Sequence, residues 1–408
     1  MLTIDSVMGR GPKVFGKTVW ADDETLRAAV RRRAEHFLAG LKTIEKKRGQ
    51  NPRKVRAAVH SMLNSFDARF VCLILSFPKK ASPFSHKEAA ALAAETSPWT
   101  DCLEPVRFFL RAKMEGGSRP IWDFGPKRRL LQCLAREVLR AIWGPMKSEY
   151  AQRGRGRDAA ITQIQKLTEM KGGARWFLTA DIENCFGSFN REALLKLIPL
   201  PRSVTENCIF VMNGTTIISP MGLSVSASEK AVLSGLPQGS LASSYIASKL
   251  IEPVVEKLQG VVKLSYADDI IVGSRKQEEA EANKLLLGDL LRDHPAGPLF
   301  MKATVATLGQ PIDYLGYRFR RRPLKFGGGV RCTPSPKAFK RFEVRAHGRL
   351  VNEPVKTRYA KAEEYKRHWC GSYKCWDRSE LGDLLVTITM NDVLTGISYA
   401  NYLKKTKA

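Results

Sequence analysis

Two apolar runs, Val261–Ser265 and Ile270–Gly273, flank the polar tip Tyr266-Ala267-Asp268-Asp269. Short apolar segments on either side of a polar turn predict a β-hairpin, here with two adjacent carboxylates thrust out at its tip. A second apolar run, Trp176–Ala180, leads straight into Asp181 and predicts a strand that ends on a carboxylate. Asn190–Ile198 then predicts a helix, with Asn190 as N-cap and Leu194, Leu195 and Ile198 at helical spacing. In Ser234-Gly235-Leu236-Pro237-Gln238-Gly239 the glycines and proline predict a loop that lets backbone approach a ligand closely. A helix of small residues follows, to about Leu258. Near the N-terminus, Asp22–Lys47 and Pro52–Phe77 predict helices, and Pro78–Pro98 a connection containing one short Ala-rich helix. Gly327-Gly328-Gly329 predicts a turn into two basic helices, Pro336–Asn352 and Lys356–Cys370.

The three aspartates raise an electrostatic problem. Like charges crowded at strand ends are unfavourable unless something neutralises them, and a divalent cation is the usual solution. Taken singly, each has a plainer reading: a solvated turn for Asp268-Asp269, a strand-end carboxylate or N-cap for Asp181, a tight turn before a helix for Gly235–Gly239. Taken together, a strand ending in Asp beside a hairpin bearing two more suits a pair of divalent ions. In two-metal catalysis such ions sit about 3.5–4 Å apart and hold the attacking and leaving oxygens of an in-line displacement. Magnesium fits best, as a hard ion that takes carboxylate and phosphate oxygens.

In this order, the three segments resemble the palm of the reverse transcriptases. Arg119-Pro120-Ile121, with Arg129 and Gln132 after it, resembles the fingers pattern of the bacterial members, although Phe124 and Arg128 replace the usual Pro and Leu. Arg153-Gly154-Arg155-Gly156-Arg157-Asp158 is similar to a basic Gly-Arg segment of the intron-encoded enzymes. Leu299–Ala303 and Asp313-Tyr314-Leu315-Gly316-Tyr317 resemble the two late motifs, the second being the primer grip. The likeness runs from about Arg107 to Arg322.

The resemblance implies an α+β right-hand polymerase fold: fingers, a palm with an antiparallel sheet, and a helical thumb, preceded by a helical N-terminal extension. The regions fall at residues 1–100 for the extension, 101–322 for fingers and palm, and 323–408 for the basic thumb. It implies that Asp181 and Asp268 ligate two Mg2+ ions, replaceable by Mn2+, with Asp269 as a neighbouring or alternate ligand and the Ile182 carbonyl as a further oxygen. Arg119 and Arg129 would grip the triphosphate of a dNTP, Lys302 would protonate pyrophosphate, and Gln238 would pack against the incoming nucleotide. Tyr266 would meet the primer end, and Tyr314, Leu315 and Gly316 the primer strand. Phe186, five residues after Asp181, takes the position of the steric gate against a ribose hydroxyl, the plainer reading being a core aromatic. Each basic residue has its own plainer reading as one more surface charge. Phe186 and Tyr-Ala-Asp-Asp favour DNA over RNA as product.

Charge agrees with a nucleic-acid partner. The 408 residues carry 67 Lys and Arg against 40 acidic side chains, a net +27, which suits neutralisation of many phosphates. Arg31-Arg32-Arg33 and Lys46-Lys47-Arg48 would meet RNA or form a solvated helix face; the sequence leaves both open. No run of 18 apolar residues predicts a membrane span, and Met1–Asp5 lacks the start of a signal peptide. The eight cysteines read as free thiols of a reducing cytoplasm, and His368, Cys370 and Cys375 as packing rather than a zinc site.

A few dozen residues remain after the thumb, and no Cys-rich nuclease motif is visible. Val330-Arg331-Cys332-Thr333 is only a distant counterpart of the retron Val-Thr-Gly signature. The chain thus looks most like the defence-associated "unknown group" reverse transcriptases, which copy a dedicated noncoding RNA into cDNA. The alternatives are a retron-like or intron-derived enzyme without a defence role, and a non-catalytic RNA-binding or maturase scaffold. Oligomeric state is not legible.

Overall fold

The computed structural model describes residues 2–9, 13–14, 17–18, 23–77, 84–112, 118–152, 154–212, 214–219, 235–322, 329–378 and 380–406. The chain opens with α1 (Ile4–Met8) and a ribbon of β1 (Lys13–Val14) and β2 (Lys17–Thr18). Helices α2 (Glu24–Lys47), α3 (Pro52–Asn64), α4 (Phe66–Leu75) and α5 (His86–Glu95) follow. Next come β3 (Val106–Ala112), β4 (Ser118–Phe124), α6 (Pro126–Trp143), α7 (Arg157–Glu169) and β5 (Trp176–Ile182). Then α8 (Cys185–Ser188), α9 (Arg191–Leu197), α10 (Arg202–Ile209), β6 (Ile217–Ile218) and α11 (Ser243–Lys257) lead to β7 (Val262–Tyr266) and β8 (Asp269–Ser274). The last third holds α12 (Gln277–Arg292), β9 (Met301–Thr307), β10 (Ile312–Tyr314), β11 (Tyr317–Arg321), β12 (Val330–Pro334), α13 (Pro336–Leu350), α14 (Val355–Gly371) and α15 (Glu380–Thr406).

Local chemistry accounts for most boundaries. Asn190 caps α9 by accepting from Ala193 N at 2.9 Å, as its position predicts. Ser85 and Glu88 form a reciprocal capping box on the Ala-rich α5. The single helix expected over Pro52–Phe77 is instead two. Ser65 is extended (φ −68°, ψ 121°), and its hydroxyl accepts from Ala68 N to start α4. A short polar side chain that can cap outcompetes continuation of the helix. The pair α3–α4, bent by 69° there, has the length and composition of a broken span; no single described helix is long and apolar enough to cross a membrane. Pro78–Pro83 and Gly327-Gly328, parts of the expected connection and turn, lie outside the described residues.

Two compact units form. The first takes Met1–Glu149, Ile182–Glu256 and Gly288–Met301; the second takes Tyr150–Asp181, Lys257–Leu287 and Lys302–Ala408. They group the chain by packing, across the three consecutive regions read along the sequence. In the first, α4 packs on α2, α5 and α6, and a sheet of order β4-β3-β6 stands on Val106, Phe108, Trp122, Phe124 and Val211. In the second, the sheet runs β7-β8-β5-β9, and a smaller one runs β10-β11-β12. Phe177, Leu264, Ile271, Tyr317, Phe319 and Phe342 share the second unit's core. Ile270–Ser274 of β8 are all buried, the unbroken apolar run expected of a strand covered on both faces.

Candidate active site

The expected hairpin forms, with β7 and β8 antiparallel and Tyr266 paired with Asp269. Ala267 and Asp268 are therefore its two-residue turn. Ala267 has φ 58°, a left-handed conformation that is strained for any residue with a Cβ and tends to occur where function demands it. On the other side of β8, Asp181 is the direct partner of Asp269 in the β5–β8 ladder. Directly opposed residues share a face, with Cβ atoms roughly 4.5–5.5 Å apart. Three carboxylates thus gather from two sequence-distant segments. Asp269, expected as the accessory member, is the one placed opposite Asp181, and Asp268 sits at the turn.

The electrostatics follow. Burial pushes the Asp269 carboxyl up to about 7, helped by the neighbouring charges of Asp268 and then Asp181 and opposed by the Arg341 guanidinium on α13. Among the described residues no group of three or more His, Cys, Asp or Glu is placed to hold a metal ion by itself, which leaves the opposed pair Asp181 and Asp269 as the candidate ligands. An open set of this kind suits Mg2+, which takes one or two carboxylates and fills the remainder of its shell with water and substrate phosphate. The residues therefore fit a hard divalent cation. Ile182, whose carbonyl was expected to add an oxygen, follows Asp181 as the last, buried residue of β5.

Support for the carboxylates comes from the segment likened to the primer grip. Tyr314 is buried, and its hydroxyl donates to the main-chain oxygen of Asp269 at 3.2 Å. This corrects the expectation of a primer contact for its side chain: the in-out-in burial of Ile312, Asp313 and Tyr314 turns the ring inward. Leu315 (φ 51°) and Gly316 (φ 81°) make the half-buried turn between β10 and β11, with Leu315 against the second unit's core. Tyr266 is half-buried at the end of β7. Lys302 is exposed on β9, two residues before Thr304, whose hydroxyl lies 3.3 Å from that of Thr179. Alternation along each strand then puts Lys302 on the Asp181 face.

In the first unit, a tightly held loop surrounds Phe186. Leu236 N donates to the Phe186 carbonyl at 2.8 Å, and Trp122 N on β4 donates to the Gln238 carbonyl at 2.8 Å. A Cβ on Gly235 (φ 56°) would overlap the Phe186 carbonyl oxygen, and one on Gly239 (φ 107°) would overlap that of Trp122. Both glycines are thus required by close approach and by conformation. Phe186 itself is half-buried in α8. The side-chain oxygen of Gln238 is buried without a hydrogen-bond partner, which is unfavourable unless a ligand supplies a donor.

Comparison with known proteins decides the family. Residues 111–319, half of the chain, match the reverse transcriptase (RNA-dependent DNA polymerase) family. The chain belongs to the reverse transcriptases. Its fold is accordingly the family's right-hand polymerase fold, and the family generally uses divalent metal ions. It is 25% identical over 166 residues to a putative COX1/OXI3 intron 1 protein of Saccharomyces cerevisiae, covering 40% of this chain and 19% of that protein. It is 29% identical over 160 residues to an uncharacterized 91 kDa protein in the cob intron of Schizosaccharomyces pombe, covering 38% and 19%. The group II intron-encoded protein LtrA of Lactococcus lactis is 26% identical over 121 residues, covering 29% and 20%. The chain thus spans about a fifth of the length of these relatives.

Of the residues likened to the fingers pattern, Arg119 is exposed on β4 and directly opposite Arg111 on β3. Like charges so placed repel, and an anion would relieve them. Arg129 is different. Its Nε and Nη2 donate to the Ser76 carbonyl at 3.2 and 2.6 Å, and its guanidinium lies over the Phe77 ring. This corrects the triphosphate role expected for it: Arg129 ties α6 to the end of α4. Arg128, where the family usually has Leu, is buried and bonds Asp101, the Glu104 carbonyl and Thr215.

Two residues escaped a role in the sequence. The buried Gln132 accepts from Leu241 N at 3.2 Å, and Arg136 donates to Leu241 O at 3.5 Å. Their signal was the four-residue spacing of polar Arg128, Gln132, Arg136 and Arg140 along α6. In the Gly-Arg segment, Arg157 stacks on Tyr317 and Tyr373, and Tyr317 donates to Asp158 at 2.7 Å; these are packing contacts. Arg153 lies outside the described residues, as does Ser234. All eight cysteines are free, and His368 faces Glu364 on the surface.

Proposed function

We propose that this chain is an RNA-directed DNA polymerase that adds dNTPs to a primer annealed to RNA, using two divalent ions, normally Mg2+. One observation carries the reading: Asp181 and Asp269 oppose each other across one ladder with Asp268 at the adjoining turn. When bound, such ions lower the pKa of a primer hydroxyl and stabilise the departing pyrophosphate. The chain's own residues hold and orient. Asp181, Asp268 and Asp269 present negative charge on one sheet end, with the Ile182 carbonyl beside them. Tyr314 fixes the backbone at Asp269, and Leu315 and Gly316 carry the primer contact. Tyr266 flanks the primer end, and Lys302 is the proton donor toward pyrophosphate. Arg119, with Arg111, takes the triphosphate. Gln238 offers its unpaired side-chain oxygen to the nucleotide, and Phe186 excludes the ribose hydroxyl.

The test is extension of oligo-dT on poly-rA with dTTP and Mg2+. The native protein should extend the primer and Asp268→Ala should not, while both bind the template. Extension by Asp268→Ala at the native rate would end this reading, and inactivity of both would favour an RNA-binding scaffold.

The finer reading is a reducing-cytoplasm enzyme that copies one dedicated noncoding RNA in bacterial anti-phage defence. Its support is the likeness of the motif set to the unknown-group enzymes, together with eight free thiols. Sequencing RNA and cDNA that co-purify from the native host tests it; recovery of bulk cellular RNA alone would count against a dedicated template.

A further inference from the structure

A cleft of about 850 Å3 opens in the first unit beside α3. Pro52, Val55, Arg56, Val59 and His60 line it at helical spacing, and Ile142 of α6 and the segment Pro199–Pro201 complete the lining. The lining is mostly apolar and holds no carboxylate. Arg48 and Arg56 stand at its rim, both exposed, and among the described residues neither guanidinium has an ion-pair partner. The Arg48 guanidinium lies where a Cβ on Gly144 would overlap it, so glycine there makes room for that charge. From Pro52 to His60 the cleft follows α3 for about 12 Å, at roughly 1.5 Å per residue.

A surface of complementary make-up lies on the second unit. The inner stripe of α12, Ala280, Asn283 and Leu287, is buried, and Asn283 ties it down by accepting from Gln259 N at 2.9 Å. That face anchors the helix. Its outer face is apolar as well: Ala282, Leu285 and Leu286 recur at i, i+3 and i+4 and are all exposed, Leu285 by 71%. Glu278 and Glu281, each one turn before a member of this stripe, are also exposed, and their side chains have no partner among the described residues. Glu279 is different: it accepts from Arg275 N at 3.2 Å and so serves the start of the helix. From Glu278 to Leu286 the outer face again runs about 12 Å. A lone exposed leucine is ordinary in a soluble protein. Two side by side, flanked by unanswered carboxylates in a chain of net charge +27, are not accounted for by the packing of α12 itself.

We propose that the chain self-associates head to tail, the outer face of α12 in one copy lying along the α3 cleft of the next. Leu285 and Leu286 enter among Val55, Val59 and Leu200, and Glu278 and Glu281 answer Arg48 and Arg56. This is recognition of an amphipathic helix by an apolar groove, through anchors one turn apart. A second copy is the occupant because the chain itself supplies both halves, matched in length, in apolar character and in sign of charge. The two surfaces differ, so the contact is heterologous: a copy bound through one keeps the other free, and growth continues until a ring closes. Two helical turns in a cleft fall short of the roughly 800 Å2 per partner of a standard interface. A dissociation constant on the order of 10 µM is therefore expected.

The test is sedimentation velocity on the full chain, freed of RNA by nuclease. Salt of about 0.3 M screens the general repulsion between cationic copies. The native protein should pass from monomer to larger species between about 1 and 100 µM. Leu285→Ser/Leu286→Ser removes the helix anchors, and Ala57→Trp, at an exposed lining position of α3, fills the cleft. Each should weaken association at least about tenfold. Mixed in equal amounts, the two variants should form a one-to-one pair that grows no further, because one retains the cleft and the other the helix face. Charge gives an independent measure: Arg56→Glu and Glu281→Arg should each weaken association about fivefold, and the protein carrying both should recover. A native protein that stays monomeric across the whole concentration range would overturn the proposal. So would undiminished association of Leu285→Ser/Leu286→Ser, or a variant mixture that associates no better than either variant alone. Should Ala57→Trp fail to fold, the charge pair decides, and absence of recovery in the doubly substituted protein overturns the proposal equally.

Discussion

Leu236 N donates to the carbonyl oxygen of Phe186, and the space between their backbones admits no Cβ at Gly235. The aromatic at the gate position is therefore located by main chain rather than by packing of its ring alone. Gly235→Ala would face both the collision and a left-handed φ that disfavours a Cβ by about 1–2 kcal/mol. Nucleotide incorporation should fall at least about tenfold, as a barrier rise of some 1.4 kcal/mol implies. Gly154, with φ 85° and no atom near a built Cβ, isolates the conformational part: Gly154→Ala should lower thermal stability slightly and leave incorporation intact. Equal kinetics for the two variants would show that the contact with Phe186 is immaterial.

Asp269 carries a pH signature. Its folded pKa, about 7, stands above the ordinary carboxylate value of 3.8 because of burial and the adjacent Asp268 and Asp181. Between those values the native state binds the extra proton, so stability attributable to this group falls as pH rises from about 4 to about 7. In EDTA, the melting temperature of the native protein relative to Asp269→Asn should decline across that window. Saturating Mg2+ should reverse the decline, since the ion binds only the deprotonated site. A difference independent of pH would refute the assignment.

Tyr314 should behave as a support. Tyr314→Phe deletes one hydrogen bond to the Asp269 carbonyl, worth about 1 kcal/mol. Stability and the Mg2+ concentration for half-maximal extension should both suffer, the latter by a fewfold, with primer–template affinity unchanged in gel-shift titration. Weakened primer affinity at unchanged Mg2+ demand would restore the primer contact.

Sugar selection tests Phe186. Phe186→Ala should lower the preference for dTTP over UTP at least about tenfold in kcat/KM, within what a single steric contact contributes. Unchanged discrimination would remove Phe186 from the gate.

Arg128 tests whether the departure from the family's usual Leu is structural. Arg128→Leu strands Asp101, Glu104 O and Thr215 Oγ1. It should destabilise by about 2–3 kcal/mol, less than a fully buried pair because Asp101 retains some water. A urea midpoint equal to that of the native protein would show these bonds to be dispensable.

Much of this was legible in the residues. Asn190 caps its helix because short-range chemistry decides caps, and the Tyr266–Asp269 tip turns because apolar runs on both sides want a sheet. Local signals failed at Ser65, where a serine that can cap broke a helix whose composition reads as continuous. They also failed at Arg129 and Tyr314, whose residue types suit ligands as well as packing.

Period, capping and motif spacing act over a few residues, and they were enough to read the three strands around Asp181, Asp268 and Asp269, about half of the helices, and the family. The fold alone shows that Asp269 rather than Asp268 opposes Asp181, since ladder register depends on which strands pair. It also decided that Gln132 holds the loop at Leu241 while Arg129 is occupied by Ser76. Which partner a buried polar group finds is set by segments distant in the chain, and no local pattern encodes that.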